Sequence, residues 1–160
     1  MSKYESVLDM DSKNSLSIII SKIKPKSKIL EIGCATGRLT KYLKENLKCN
    51  ITIVEINEDD GEKARTFADK ALIGKKYGDV ENTFFLNELA KNSFDYIIFA
   101  DVLEHLYNPR NVLKNVYSLL KNNGSLLCSI PNISHNSIIL ELLNDSFPYK
   151  EIGLLDDTHI

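Results

Sequence analysis

Glu31 stands two residues ahead of the first glycine in Lys28-Ile-Leu-Glu-Ile-Gly-Cys-Ala-Thr-Gly-Arg38, where an apolar run gives way to small residues and then to a helix-like sequence. A strand that feeds a helix through such a loop is a nucleotide-type binding element. Small residues let the backbone approach a ligand, and the helix start offers unpaired N–H groups to an anion. A pyrophosphate at this loop would be repelled by Glu31, whereas a ligand with cationic groups would not. Glu55 follows 22 positions after Gly33, at the end of a β-branched run. An acid there either accepts two hydrogen bonds from a ribose diol or caps the next helix. Asp79, in Tyr77-Gly-Asp-Val80, either accepts from an exocyclic amine such as that of adenine or sits in a surface turn. Asp101-Val-Leu-Glu-His105 adds a histidine among acids. Histidine is the side chain suited to taking a proton near neutral pH, and its other role here is to orient the loop.

These residues need elements that bring them together. Leu16, Ile19, Ile20 and Ile23 recur at helical spacing and predict a helix over residues 11–24, ended by Pro25. Strand and helix signals then alternate: strands over 28–32, 50–55, 70–74, 95–100 and 125–130, and helices over 36–46, 57–69, 108–121 and 134–143. A short helix is expected near 85–89, a turn at Asn122-Asn-Gly124, and a loop-like stretch from 144 to 160. Leu39, Tyr42, Leu43 and Leu47 give the second helix its apolar face, and Leu113, Val116, Tyr117 and Leu120 that of the helix over 108–121. Strands separated by helices of this length predict an α/β fold with a mostly parallel sheet covered on both faces. Right-handed crossovers would gather the loops after Ile32, Val54, Gly78, Phe99 and Ile130 on one edge.

Composition narrows the class. A chain of 160 residues suits one core, and 43% hydrophobic with 26% charged residues is that of a folded domain rather than a disordered one. A net charge of −2 gives no electrostatic reason to expect nucleic acid as a partner. No apolar run approaches the roughly 20 residues that span a bilayer, and the polar start carries no signal-peptide core, so a cytoplasmic location is expected without membrane insertion. Cys34, Cys49 and Cys128 are odd in number and form no CxxC pair, which reads as reduced, buried thiols rather than a zinc site.

Taken in order, Leu30-Glu-Ile-Gly-Cys-Ala-Thr-Gly37, Val54-Glu55, Gly78-Asp79, Phe94-Asp-Tyr-Ile-Ile-Phe-Ala-Asp-Val-Leu-Glu-His-Leu106 and Leu120-Lys-Asn-Asn-Gly-Ser-Leu-Leu-Cys-Ser-Ile-Pro-Asn132 resemble a class I S-adenosylmethionine-dependent methyltransferase. The likeness is greatest to methyltransferase domains of bacterial proteins that also carry glycosyltransferase modules, in which Leu154-Leu-Asp-Asp-Thr-His159 has a counterpart. The resemblance implies a three-layer α-β-α Rossmann-like fold, with residues 1–27 as an N-terminal helical cap and 28–160 as the cofactor-binding core. It places the methionine part of S-adenosyl-L-methionine at Glu31 and at the backbone of Gly33, Cys34, Ala35 and Gly37. The ribose goes to Glu55 beside Ile56, the adenine to Asp79 and Val80, and the methionine end to Ala100 and Asp101. Tyr4 matches a residue that closes over the cofactor in related enzymes. Such a cofactor carries a sulfonium and an ammonium but no phosphate, which suits the carboxylates and removes the awkwardness of Glu31.

For catalysis, the reading nominates His105 as general base with Asp101 and His135 beside it, and O-methylation of a small-molecule or glycan acceptor. No metal is expected. The alternative takes Asp101, Glu104 and His105 as the acid-x-x-Glu-His pattern of some metal-dependent methyltransferases, completed by His135 or His159. A further alternative is a module that binds cofactor without turnover. Nothing after Leu143 supplies the two last strands of this fold family. The chain is therefore expected to lack the C-terminal β-hairpin, to be part of a larger protein, and to leave the fifth strand's outer edge open, to a second copy as homodimer or to another partner.

Overall fold

A computed structural model describes residues 8–150, 153–156 and 158–159; Tyr4 lies outside them. Among the described residues, five strands form one sheet: β1 (Lys28–Ile32), β2 (Asn50–Glu55), β3 (Lys70–Ile73), β4 (Phe94–Ala100) and β5 (Leu120–Ser129). Their order is β3-β2-β1-β4-β5, and every pairing is parallel. β1 is central, with Leu30 opposite both Thr52 and Ile97. The chain winds outward from β1 to β3 on one side, then returns to β4 on the other. That reversal opens a crevice at the carboxyl ends of β1 and β4.

Near-continuous apolar runs make β1, β2 and β4 strands buried on both faces. Ile29, Ile51, Ile53 and Ile98 pack with Ile19, Ile20, Leu39, Leu43 and Ala64 from α1 (Ser15–Ser21), α2 (Arg38–Glu45) and α3 (Glu58–Arg65). Leu30, Ile32, Val54 and Phe99 pack on the opposite face with Phe85, from the 3-10 turn Phe84–Glu88, and with Val112 and Val116 of α5 (Pro109–Tyr117). This is the three-layer fold. The helices begin where their caps allow. Asn14 forms a capping box with Ser17, Asn57 Oδ1 accepts from Asp60 N at 3.1 Å, and Asn108 Oδ1 accepts from Asn111 N at 3.1 Å ahead of Pro109. Glu58, Asp59 and Asp60 open α3 while Lys63 and Arg65 close it, in the sense the helix dipole favours.

Several boundaries differ from the sequence reading. The first helix starts at Ser15, because Asn14 is its cap rather than part of its second turn. β3 ends at Ile73, and a single turn of helix, α4 (Gly74–Tyr77), follows. α5 stops at Tyr117; Val116 and Leu120 of the expected stripe are buried and Leu113 packs against them, whereas Tyr117 is exposed and Val112 and Leu119 are buried in addition. The Asn122-Asn-Gly turn lies inside β5: Phe94 pairs with Leu120 and Tyr96 with Ser125, so residues 121–124 bulge out of one continuous strand. The last helix, α6 (Asn136–Leu143), buries Ile138 and leaves Leu140 and Leu143 exposed. β3 and β5 are the sheet's edges, and much of β5 is open to solvent, Cys128 included, which corrects the expectation of three buried thiols. No helix among the described residues is long and apolar enough to cross a membrane.

Leu43 is wholly buried between α2 and the sheet, whereas Leu140 on α6 is 60% exposed. Leu43→Ala should cost about 2–5 kcal/mol in urea unfolding, and Leu140→Ala should stay within about 0.5 kcal/mol.

Candidate functional site

The carboxyl ends of the strands meet over a cleft of about 1000 Å³. β1 contributes Glu31 and the loop Gly33, Cys34 and Ala35; β2 contributes Glu55 and Ile56; the turn after α4 contributes Gly78, Asp79 and Val80. β4 contributes Ala100, Asp101, Glu104 and His105, and β5 contributes Ser129 and the following Pro131 and Asn132. Leu16 of α1 and residues of the 153–159 segment complete the wall. Its charged lining is mostly carboxylate, with Arg38 the single Lys or Arg among the described lining residues.

Two acids anchor the first half of the cleft. Glu31 is buried in β1, and its Oε2 accepts from the Thr40 hydroxyl at 2.8 Å across to α2. Burial pushes its carboxyl up to about 8, and nearby Glu55 pushes the same way against the Thr40 bond. Glu55 accepts from Ala35 N at 2.8 Å through Oε2 and from Asn57 N at 2.9 Å through Oε1, so it ties the β1 loop to the end of β2. Asn57, not Glu55, is the cap of α3. Ala35 is held at a φ of 47°, a conformation costly for a side-chain-bearing residue and fixed here by that bond to Glu55. Asp79 Oδ1 accepts from Glu81 N at 2.9 Å, which shapes the turn around half-buried Asp79. Gly78 lies so close beneath Glu55 that a Cβ would collide with the Glu55 carbonyl oxygen. Cys34 lines the cleft but is inert, since burial first, and Glu31 and Glu55 next, push its thiol up.

The other half has different chemistry. Asp101 follows β4 at a φ of 55° and accepts from the Ser129 hydroxyl at 2.7 Å, which joins the ends of β4 and β5 at the rim. The 3-10 turn Leu103–His105 carries Glu104, whose two carboxylate oxygens are shielded from solvent and have no hydrogen-bond partner among the described residues. Burial, with Asp101 adding to it, raises Glu104 above the usual carboxyl range, while His105 and His159 pull it back. Glu104, His105 and His159 present ligand-type atoms within 4.8 Å of one another, and the two imidazoles meet edge to face at 4.8 Å.

The structure thus gathers Glu31, Gly33, Cys34, Ala35, Glu55, Ile56, Asp79, Val80, Ala100, Asp101 and His105 around one cleft. It does not bring two of the nominated residues there. Gly37 is the cap of α2 at a φ of 83°, and a Cβ on it would run into the Ala64 backbone, so its role is the close packing of α2 on α3. His135 caps α6, accepting from Ser137 N at 3.3 Å, away from the cleft lining. The sequence reading missed Thr40, which donates to Glu31, Ser129, which donates to Asp101, and the wall made by Asp156 and Thr158. Thr40 carried a signal: it falls in the first turn of the helix that must lie over β1.

A family model described as a methyltransferase domain matches residues 11–160. The chain is 26% identical over 102 residues to the sterol 24-C-methyltransferase of Schizosaccharomyces pombe, covering 64% of this chain and 27% of that one. It is 27% identical over 126 residues to the ubiquinone biosynthesis O-methyltransferase of Glaesserella parasuis, covering 77% and 53%. It therefore spans about half or less of these relatives' length. Among solved structures, an S-adenosylmethionine-dependent methyltransferase of Thermotoga maritima, described as a possible histamine N-methyltransferase, superposes with a TM-score of 0.64 at 26% identity, covering 91% of this chain and 61% of that one.

The raised carboxyl of Glu31 has a stability consequence. The folded chain holds a proton there up to about pH 8, whereas the ordinary value is 4.5. Between those limits the folded state binds more protons than the unfolded one, so Glu31 makes stability fall as pH rises through that window. Urea unfolding at the two ends of the window should show the loss in the natural chain and a flatter profile in Glu31→Gln.

Proposed function

Starting from the chain's membership of the class I S-adenosylmethionine-dependent methyltransferases, we propose that it moves the methyl group to a hydroxyl of a small molecule or glycan. The observation that carries this reading is the two-part cleft: hydrogen-bonded carboxylates at β1 and β2, and an imidazole pair with an unpartnered carboxylate at β4. The cofactor, when bound, supplies an electrophilic methyl group on a sulfonium. Glu31 and the Cys34 amide suit its ammonium and carboxylate, the Gly33 and Ala35 amides being engaged by Val54 O and Glu55. The lone pairs that Glu55 does not use for Ala35 and Asn57 suit a ribose diol, and Asp79 with buried Val80 suits adenine. A pyrophosphate would meet carboxylates throughout, which disfavours a nicotinamide dinucleotide. The same lining disfavours nucleic acid as acceptor.

At the acceptor end, His105 takes the proton that the attacking hydroxyl loses, and Ser129 and Asn132 offer polar groups to the substrate. The curated and structural relatives act, by their names, on carbon, oxygen and nitrogen. The preference for oxygen here rests on His105, a base suited to a hydroxyl.

A second reading, metal-dependent transfer, is favoured by one observation: Glu104, His105 and His159 converge around a carboxylate with no partner. One carboxylate and two imidazoles suit a first-row divalent ion better than magnesium or calcium. The set differs from the pattern in the sequence, because Asp101 is engaged by Ser129 and His135 caps α6.

Calorimetry with S-adenosylhomocysteine should show binding and none with NAD; the reverse would overturn the reading. Since a cationic ligand favours the Glu31 carboxylate, binding at neutral pH should release up to about one proton per chain, read as heat that depends on the buffer. Glu55→Ala should weaken binding by about 1–3 kcal/mol, and an unchanged affinity would remove Glu55 from the ribose. Across a panel of hydroxyl, amine and carbon acceptors, His105→Ala should bind cofactor normally and form no methylated product; a chain that binds but never turns over, even unmutated, would be a binding module. Titration with manganese(II) that gives no heat disposes of the metal.

A further inference from the structure

The geometry points to Thr158 and Asp156 as positioning residues that fix the proton of His105 on Nδ1 and leave Nε2 as the ring's basic nitrogen. The inference rests on the reading of His105 as the proton acceptor, and its structural part stands without it.

His105 Nδ1 lies 3.2 Å from the Thr158 carbonyl oxygen and 3.0 Å from Thr158 Oγ1. A carbonyl oxygen can only accept, so the first contact is a hydrogen bond only if Nδ1 carries a proton. The hydroxyl contact has two polarities, and Asp156 decides between them. Thr158 Oγ1 is 2.6 Å from Asp156 Oδ1, a distance at which two oxygens need a proton between them. That proton comes from the threonine hydroxyl, which donates to the carboxylate and so faces His105 as an acceptor. Both oxygens next to Nδ1 are then acceptors, and one tautomer satisfies both: N–H at Nδ1, lone pair at Nε2.

The arrangement is held by backbone as well as side chain. Asp156 is 5% exposed, and its Oδ1 also accepts from Thr158 N at 3.0 Å. Asp156 N donates to Gly153 O at 3.2 Å, and Lys150 N donates to Leu155 O at 2.8 Å, which pins the segment across an isolated bridge between Lys150 and Asp156. His159 packs its ring edge-on against His105 and limits the ring's rotation. A segment more than 50 residues away in sequence thereby sets which nitrogen of His105 serves as base.

In the transfer step the acceptor oxygen forms a bond to the methyl carbon. The sulfur–methyl bond breaks with its electron pair left on sulfur, and the hydroxyl proton passes to Nε2. The imidazolium so formed keeps its Nδ1–H on Thr158, backed by the Asp156 carboxylate, which stabilises the charge that develops.

Nitrogen-15 NMR of the histidine-labelled chain, without cofactor and above the imidazole's titration, reads the tautomer directly. The natural chain should show His105 protonated at Nδ1. Thr158→Val removes the hydroxyl but leaves the carbonyl, and should move the tautomer ratio about five-fold toward Nε2–H; Thr158→Ser should restore it. A natural chain with the proton on Nε2, or a ratio unmoved by Thr158→Val, overturns the inference. Thr158 is exposed, so neither variant threatens the fold. A parallel calorimetric titration with S-adenosylhomocysteine keeps the two readings apart: loss of binding in the natural chain would count against the methyltransferase reading and leave the tautomer result intact.

Discussion

The cleft depends on two carboxylates placed side by side at the ends of buried parallel strands. β1 and β2 run in register from Lys28 opposite Asn50 to Ile32 opposite Val54, which sets Glu31 within electrostatic reach of Glu55. Two negative charges in that setting would repel strongly, and the fold resolves this by treating them differently. Glu55 receives two backbone N–H donors, and in accepting them it holds Ala35 in a left-handed conformation and fixes the loop. Glu31 has one hydroxyl partner and no solvent, so it holds its proton. A cationic ligand that reaches Glu31 therefore displaces its proton.

That logic explains which parts of the site were legible in the sequence. Glu31, Gly33, Glu55 and Asp101 each lie in or directly after an apolar run, and the rule that parallel strands deliver their loops to one edge suffices to bring them together; Asp79 reaches the same edge after the single turn of α4. The errors lie where local signals compete with tertiary ones. Asn122-Asn-Gly124 has turn chemistry, yet Leu120 pairs with Phe94 ahead of it, so the turn is absorbed as a bulge. Tyr117 has the right period for a buried stripe and the wrong side of the helix, since Val112 and Val116 face Phe99 and the sheet. Gly37 sits in the loop motif, but its conformation serves the contact between α2 and α3. His135 follows a strand as the others do, but Pro131 and Asn132 have already turned the chain toward α6.

The two ends of the cleft are built on different physical terms. At the β1–β2 end, backbone amides and strand register hold the carboxylates, so the residues are close in sequence to the elements that place them. At the β4 end, the 3-10 turn Leu103–His105 is short, and His105 takes its setting from Asp156, Thr158 and His159. Such contacts have no periodicity, and a sequence shows only a histidine near one end and a threonine near the other. The contacts of Thr158 and His159 with His105 are separate from the β1–β2 register that holds Glu31 and Glu55.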